Sequence, residues 1–114
     1  MNNNPLKAVN WNTPTSAIAR TMWDNQWKNV WFPEEIAVSK DLKLWKDFEH
    51  QDTYKKVLGG LTLLDTLQTN VGMNEIVKFN PDLQEKAVLT AFGAFEAIHA
   101  QSYSYIFTTL CKND

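Results

Sequence analysis

The sequence contains a single cysteine, Cys111, and no excess of basic residues. One cysteine excludes a disulfide within the chain and a zinc site built from several cysteines. The 11 Lys and Arg residues are balanced by 13 Asp and Glu residues, giving a net charge of −2. Nucleic acid and anionic membranes are therefore poor default partners. With 44% hydrophobic and 21% charged residues, the composition is that of a globular protein and excludes a disordered segment.

Long apolar runs are also absent from the sequence. No stretch approaches the roughly 20 residues that cross a bilayer. Residues 1–5 lack the basic and apolar regions of a signal peptide. We therefore expect a cytoplasmic protein. Its 114 residues suffice for one domain or for part of a larger one.

Glycine and proline are scarce, with four of each, and no Asn-Gly hairpin dipeptide occurs in the sequence. These features predict an all-α protein. A first helix is predicted from Thr15 or Ser16 to about Val30. Ser39 can cap a short helix that ends near Phe48. A stronger helix is predicted over 52–71, ended by Gly72. Its apolar side chains recur at helical spacing and predict one buried stripe, formed by Tyr54, Val57, Leu58, Leu61, Leu64 and Leu67.

The longest predicted helix begins at Asn80-Pro81-Asp82, with Asn80 as its N-cap and Pro81 as its first residue. No further proline follows, so this helix can reach Leu110 and form a rod roughly 45 Å long. A helix of that length needs long partners to cover it. The helix predicted over 52–71 is shorter, so the sequence indicates that part of the bundle is missing.

Three polar residues interrupt apolar helical faces and are candidates for metal ligands. Asp65 lies in the run Leu-Leu-Asp-Thr-Leu, where a buried carboxylate is costly unless it is paired or metal-bound. A position facing water at the edge of the stripe fits the local sequence equally well. Glu96 and His99 form a Glu-x-x-His pair on one helix face, and a carboxylate with an imidazole suits iron or manganese. Alone, such a pair is more often a solvated ion pair, but its apolar surroundings favour a metal.

Aromatic residues near these positions have two interpretations. Tyr103 follows His99 by four residues and shares its face, so it is either a core tyrosine or a phenol that a metal pair can oxidise. Trp31 is weak evidence by itself, because clustered tryptophans are usually core residues. We expect Trp23 and Trp27 to be such core residues, and His50 to be exposed.

Several segments together resemble one known family. They are WFPEEI at 31–36, SKD at 39–41, LTLLDTLQ at 61–68 and EAIHAQSYS at 96–104, with NWN at 10–12 and IFTTL at 106–110. These motifs are similar to the small, radical-generating subunit of class I ribonucleotide reductase, and are closer to its class Ib branch. The resemblance covers nearly the whole chain.

The resemblance implies a ferritin-like helical bundle that works as a dimer. Asp65, Glu96 and His99 would be three ligands of a dinuclear iron or manganese site. Tyr103 would carry the stable radical, and Trp31 would lie on the electron-transfer route to the large subunit. The large subunit would reduce ribonucleoside diphosphates to deoxyribonucleotides. Further implied partners are a second small subunit or a complementary C-terminal polypeptide, and a flavodoxin-like activator.

The sequence departs from the family in length. The family's second Glu-x-x-His and a further Glu have no counterpart, since no Glu or His follows Tyr103. We therefore expect 1–114 to be the N-terminal part of a single small-subunit domain and to be inactive alone. It would be a gene fragment, the first product of a split gene or a truncation, in which 112–114 are read-through residues. One alternative is a non-catalytic fragment that only associates with an intact or complementary small subunit. Another, a ferritin-type storage protein, would not need Tyr103 or the WFPEE segment.

Overall fold

A computed structural model describes residues 7–111, and within this range every regular element is helical. The α-helices are α1 (Ala19–Lys28), α2 (Leu42–Trp45), α3 (Gln51–Leu67), α4 (Met73–Phe79) and α5 (Leu83–Cys111). The prediction of an all-α protein is confirmed. The predictions about the N-terminal residues 1–5 and about Lys112, Asn113 and Asp114 lie outside the described residues. Within residues 7–111, none of the helices combines the length and the hydrophobicity that a membrane span requires.

The first helix begins later than predicted. It starts at Ala19, and Ile18 precedes it without a side-chain cap, so neither Thr15 nor Ser16 is the N-cap. The physical reason is a tertiary contact: the backbone N–H of Thr15 donates to the side chain of Gln84, 3.3 Å away on α5. That bond holds the residues before α1 in an irregular conformation.

The predicted helix near residues 40–48 is shorter and more irregular than expected. Two 3₁₀ turns, Pro33–Glu35 and Val38–Asp41, precede the single turn of α2, and no side chain caps it. The backbone N–H of Phe32 donates to the Glu35 carboxylate at 2.6 Å, which fixes the first of these turns. The chain is thereby turned just after Trp31.

The prediction that Gly72 ends the helix over 52–71 is wrong. The chain passes from α3 through one π-helical turn, Gln68–Gly72, directly into α4. Glycine ends a helix by adopting a left-handed conformation, whereas Gly72 has φ −57° and stays right-handed. The hydroxyl of Thr69 lies 3.0 Å from the Asp65 carbonyl and 3.1 Å from the Gly93 carbonyl, so it ties the π turn to α5.

The long helix is confirmed, but its cap is not the predicted one. Helix α5 has 29 residues. The Asp82 carboxylate accepts hydrogen bonds from the backbone N–H groups of Gln84 and Glu85, each at 2.9 Å, so Asp82 is the N-cap. Asn80 instead accepts the N–H of Asp82, and Pro81 lies outside the helix.

The predicted buried stripe of α3 is mostly exposed. The molecule measures 61 × 31 × 19 Å, and its thin dimension equals about two helix diameters. Helix α5 therefore covers one side of α3 only. Of the six predicted positions Leu58 alone is buried, whereas Val57 and Leu64 remain 55% and 59% exposed. The buried apolar core is correspondingly small and consists of Ala19, Val38, Leu58, Val88, Ala91 and Phe95.

The predictions for the remaining single residues had mixed outcomes. Trp23 is half-buried, but Trp27 is 44% exposed, so the expectation that both are core residues is only partly right. His50 is exposed, as expected.

Candidate metal centre

Helices α3 and α5 bring three potential ligands together. One ligand atom from each of Asp65, Glu96 and His99 lies within 4.8 Å of the other two. The His99 Nδ1 atom is 3.3 Å from Glu96 Oε2 and 3.9 Å from Asp65 Oδ2. Local helix geometry explains the Glu96–His99 pair. Asp65 lies on α3, which runs antiparallel to α5: Thr69 contacts Gly93, and Asp65, one turn earlier, lies beside His99.

The electrostatics of this cluster favour a cation. Burial raises the pKa of the Asp65 carboxyl, and the negative charge of Glu96 raises it further, while His99 acts in the opposite direction. Two carboxylates thus repel each other in a half-buried position with one imidazole as their counterpart. A bound divalent ion would remove this repulsion. The set of two oxygen ligands and one nitrogen ligand fits iron or manganese.

Tyr103 lies half-buried beside the cluster. Burial raises the pKa of its phenol, and the nearby charges of Asp65 and Glu96 add to the effect. The phenol therefore keeps its proton at neutral pH. The chain's other two tyrosines are exposed, and Tyr54 lies in a separate aromatic cluster against Trp45.

Trp31 stacks on the ring of His99. The ring centroids are 5.1 Å apart and the planes differ by 15°. The indole is 36% exposed, so it connects the cluster to the surface of the described chain. A cavity of about 50 Å³ adjoins the stacked pair and is also lined by Phe95 and Ile98. Periodicity alone could not reveal this contact, because Trp31 lies outside α5.

Sequence reasoning missed two polar residues that hydrogen-bond to distant parts of the chain. The Thr69 hydroxyl hydrogen-bonds to the Gly93 carbonyl and so joins the π turn to α5. This bond lies one helical turn from Asp65 and limits how far Asp65 can slide along α5. The spacing of Thr62, Thr66 and Thr69 along one side of the helix was the available signal, since such hydroxyls bond to backbone carbonyls one turn earlier. The other residue is Gln84, a buried glutamine near the start of α5.

The sequence and the fold of the chain both match known proteins. The sequence model of the family described as "Ribonucleotide reductase, small chain" matches residues 8–114. The chain belongs to this family. It is 44% identical over 110 residues to the ribonucleoside-diphosphate reductase subunit beta of Bacillus phage SPbeta, covering 94% of this chain and 33% of that protein. The Escherichia coli reductase 2 subunit beta is 37% identical over 109 residues, covering 94% and 34%.

A solved structure has the same fold. The dimanganese(II)-NrdF protein of Streptococcus sanguinis matches with a TM-score of 0.89 at 39% sequence identity, over 93% of this chain and 38% of that one. NrdF proteins from Mycobacterium tuberculosis are also among the relatives, so the resemblance to the class Ib branch is confirmed. The chain spans about one third of the length of the curated relatives it matches.

Proposed function

We propose that this chain supplies one half of the dinuclear metal site in the small subunit of a ribonucleoside-diphosphate reductase. Asp65, Glu96 and His99 would be the ligands. The observation that carries the proposal is their convergence from two helices to within 4.8 Å. A chance Glu-x-x-His pair on a solvated helix face would not meet a third, half-buried carboxylate from a neighbouring helix.

Tyr103 and Trp31 have distinct roles in this proposal. Bound iron or manganese ions would supply one-electron oxidising power. Tyr103 would keep its proton until one electron leaves its ring, and its half-buried position would limit contact with water. Trp31, stacked on His99, would pass electrons between the site and the large subunit. The product of the complete enzyme would be deoxyribonucleotides for DNA synthesis.

The remaining ligands must come from helices other than those described. Three ligands cannot hold two metal ions in the manner of ferritin-like bundles, which use a carboxylate from each of two helices and a Glu-x-x-His from each of two others. We propose that 1–114 forms the first part of one small-subunit domain, inactive by itself. Completion would come from further small-subunit sequence, a second small subunit or a complementary polypeptide. The large subunit and a flavodoxin-like activator would then be partners of the assembly.

The test is reconstitution with the missing helices. The chain would be co-expressed with the remaining two thirds of the Bacillus phage SPbeta relative, loaded with iron or manganese, and examined by metal analysis and electron paramagnetic resonance. We expect two metal ions and a tyrosyl signal from the pair, and neither from the chain alone.

Two tyrosine variants show where the radical lies. Tyr103→Phe should abolish the signal while the metal stays bound. Tyr105→Phe is the matched control, because Tyr105 lies on the same helix but is rotated away from His99, and it should preserve both. A tyrosyl signal of undiminished size in Tyr103→Phe would refute the assignment.

A second candidate function is association without chemistry. The observation in its favour is the exposed apolar surface of α3, where Leu63, Leu64 and Leu67 are 48–60% exposed. Such a surface would bind other small-subunit helices whether or not a metal is present. A stable complex that takes up no metal in the reconstitution would favour this candidate over the first.

A further inference from the structure

Two polar residues are buried among those the structure describes, Gln84 and Ser102. Gln84 is the larger of the two, and only 2% of its surface is exposed. Its amide nitrogen donates to the backbone carbonyls of Asn10 at 2.7 Å and Thr13 at 2.9 Å. Its amide oxygen accepts the backbone N–H of Thr15 at 3.3 Å. Both donors and the acceptor are therefore used, and all three partners lie about 70 residues earlier in the chain.

Residues 10–15, which Gln84 binds, form an anchored loop. A series of aromatic contacts leads from this loop to the middle of α5. Trp11, which follows Asn10, lies 5.4 Å from Trp23 on α1, measured between ring centroids. Trp23 lies 5.6 Å from Trp27, and Trp27 lies 5.0 Å edge-on to Phe95 of α5. The anchored loop, α1 and the centre of α5 are thus joined by ring contacts at each step.

Trp31 comes three residues after the end of α1. Its stacking on His99 therefore depends on where α1 lies along α5. The anchor at Gln84 and the stack at His99 are 15 residues apart on one helix, about 22 Å. Residues 10–31, which we call the N-terminal arm, span this distance between the two attachment points.

We propose that Gln84 is a positioning residue for Trp31. By holding the start of the N-terminal arm on α5, it sets the register of α1 and, through it, the stacking of the indole on His99. The functional meaning of this role rests on the proposed electron-transfer function of Trp31, but the positioning itself is a property of the metal-free chain. An apolar residue of the same length would remove both hydrogen bonds to the carbonyls of Asn10 and Thr13, and with them the attachment of this loop to α5.

The test uses the chain labelled with 5-fluorotryptophan and observed by fluorine nuclear magnetic resonance. Five tryptophans give five signals, each assigned by a single Trp→Phe replacement. In Gln84→Met we expect the signals of both Trp11 and Trp31 to shift and broaden. Trp45 is the internal control, because it packs in a separate cluster with Phe48 and Tyr54 and its signal should not move.

The matched control variant is Gln101→Met, which makes the same change at an exposed position of the same helix and should leave all five signals in place. A shift at Trp11 with an unchanged Trp31 signal in Gln84→Met would overturn the proposal, since the anchor would then act only locally. Hydrogen exchange of the α5 amides reports whether the variant stays folded.

A milder variant covers the case in which Gln84→Met unfolds. Gln84→Asn keeps both donors but shortens the side chain by one methylene, and it should displace Trp11 and Trp31 together while α5 stays protected. Loss of α5 protection in both variants would identify Gln84 as a stabiliser of the whole fold and refute a specific role in positioning. Neither result depends on metal, so failure here is distinct from failure of the proposed metal site.

Discussion

The two long helices differ in how their apolar residues are covered. Helix α5 buries Val88, Ala91 and Phe95, the last of them against Trp27 of the N-terminal arm, whereas α3 leaves Leu63 and Leu64 about 60% exposed. Both helices are rich in apolar residues, so hydrophobicity alone does not distinguish them. The difference is that within residues 7–111 α5 packs against α1, α3 and α4, whereas α3 packs on one side against α5. A helix that is apolar on all sides belongs in the interior of a larger bundle. The middle of α3 approaches this composition: its polar residues are Asp65 and two threonines, Thr62 and Thr66, whose hydroxyls bond to backbone carbonyls of the same helix.

Stability should depend mainly on the covered side of α5. Phe95→Ala removes a buried ring that packs against Trp27, and we expect a loss of about 3–5 kcal/mol in the free energy of unfolding. Phe79→Ala removes a ring that is 83% exposed and should change the free energy of unfolding little. Urea unfolding followed by circular dichroism compares the two. Equal losses would contradict the assignment of Phe95 to the buried core.

The uncovered side of α3 should become important only in the complete assembly. In the isolated chain Leu58→Ala should cost about 2–5 kcal/mol, because Leu58 is 7% exposed, and Leu64→Ala much less. In the chain paired with the remaining small-subunit helices, Leu64→Ala should cost as much as Leu58→Ala. Calorimetry then compares the affinities of the parent chain, Leu58→Ala and Leu64→Ala for the complementary polypeptide. Unchanged affinity in Leu64→Ala would show that this side of α3 stays open.

A smaller effect on stability is expected from the ionisation of Asp82 at the start of α5, where the N-terminal arm and the helix meet. The Thr15 side chain and then the backbone N–H of Glu85 lower the pKa of Asp82 below 3.8 by hydrogen bonding. A lowered folded-state pKa contributes stability that is present above 3.8 and is lost as the pH falls through the lowered value.

Asp82→Asn should therefore flatten the acid limb of the stability curve and keep most of the cap, since asparagine also caps helices. Urea unfolding at a series of acidic pH values measures this pH dependence of the free energy of unfolding. An acid limb identical to that of the parent would show that other carboxylates control it.

Local periodicity predicted the residues of one helix well. The extent of α5 and the shared face of Glu96, His99 and Tyr103 follow from 3.6 residues per turn, and no other part of the molecule is needed to derive them. The Asn-Pro-Asp start signal was also present, although periodicity could not decide which of its polar side chains caps the helix. For α3 the same reasoning predicted a buried stripe, and it failed because burial depends on a covering partner.

The amino-acid sequence by itself determined the helical class, the length of α5 and the shared face of the candidate ligands Glu96 and His99, because each depends on neighbouring residues along one helix. Only the tertiary structure decided that Asp65 faces Glu96, that Trp31 stacks on His99 and that Gln84 holds the N-terminal arm. These contacts join residues 31 to 74 positions apart in the chain. Their geometry depends on how α1, α3 and α5 pack together, and that packing also made a π turn at Gly72 where the sequence predicted a stop.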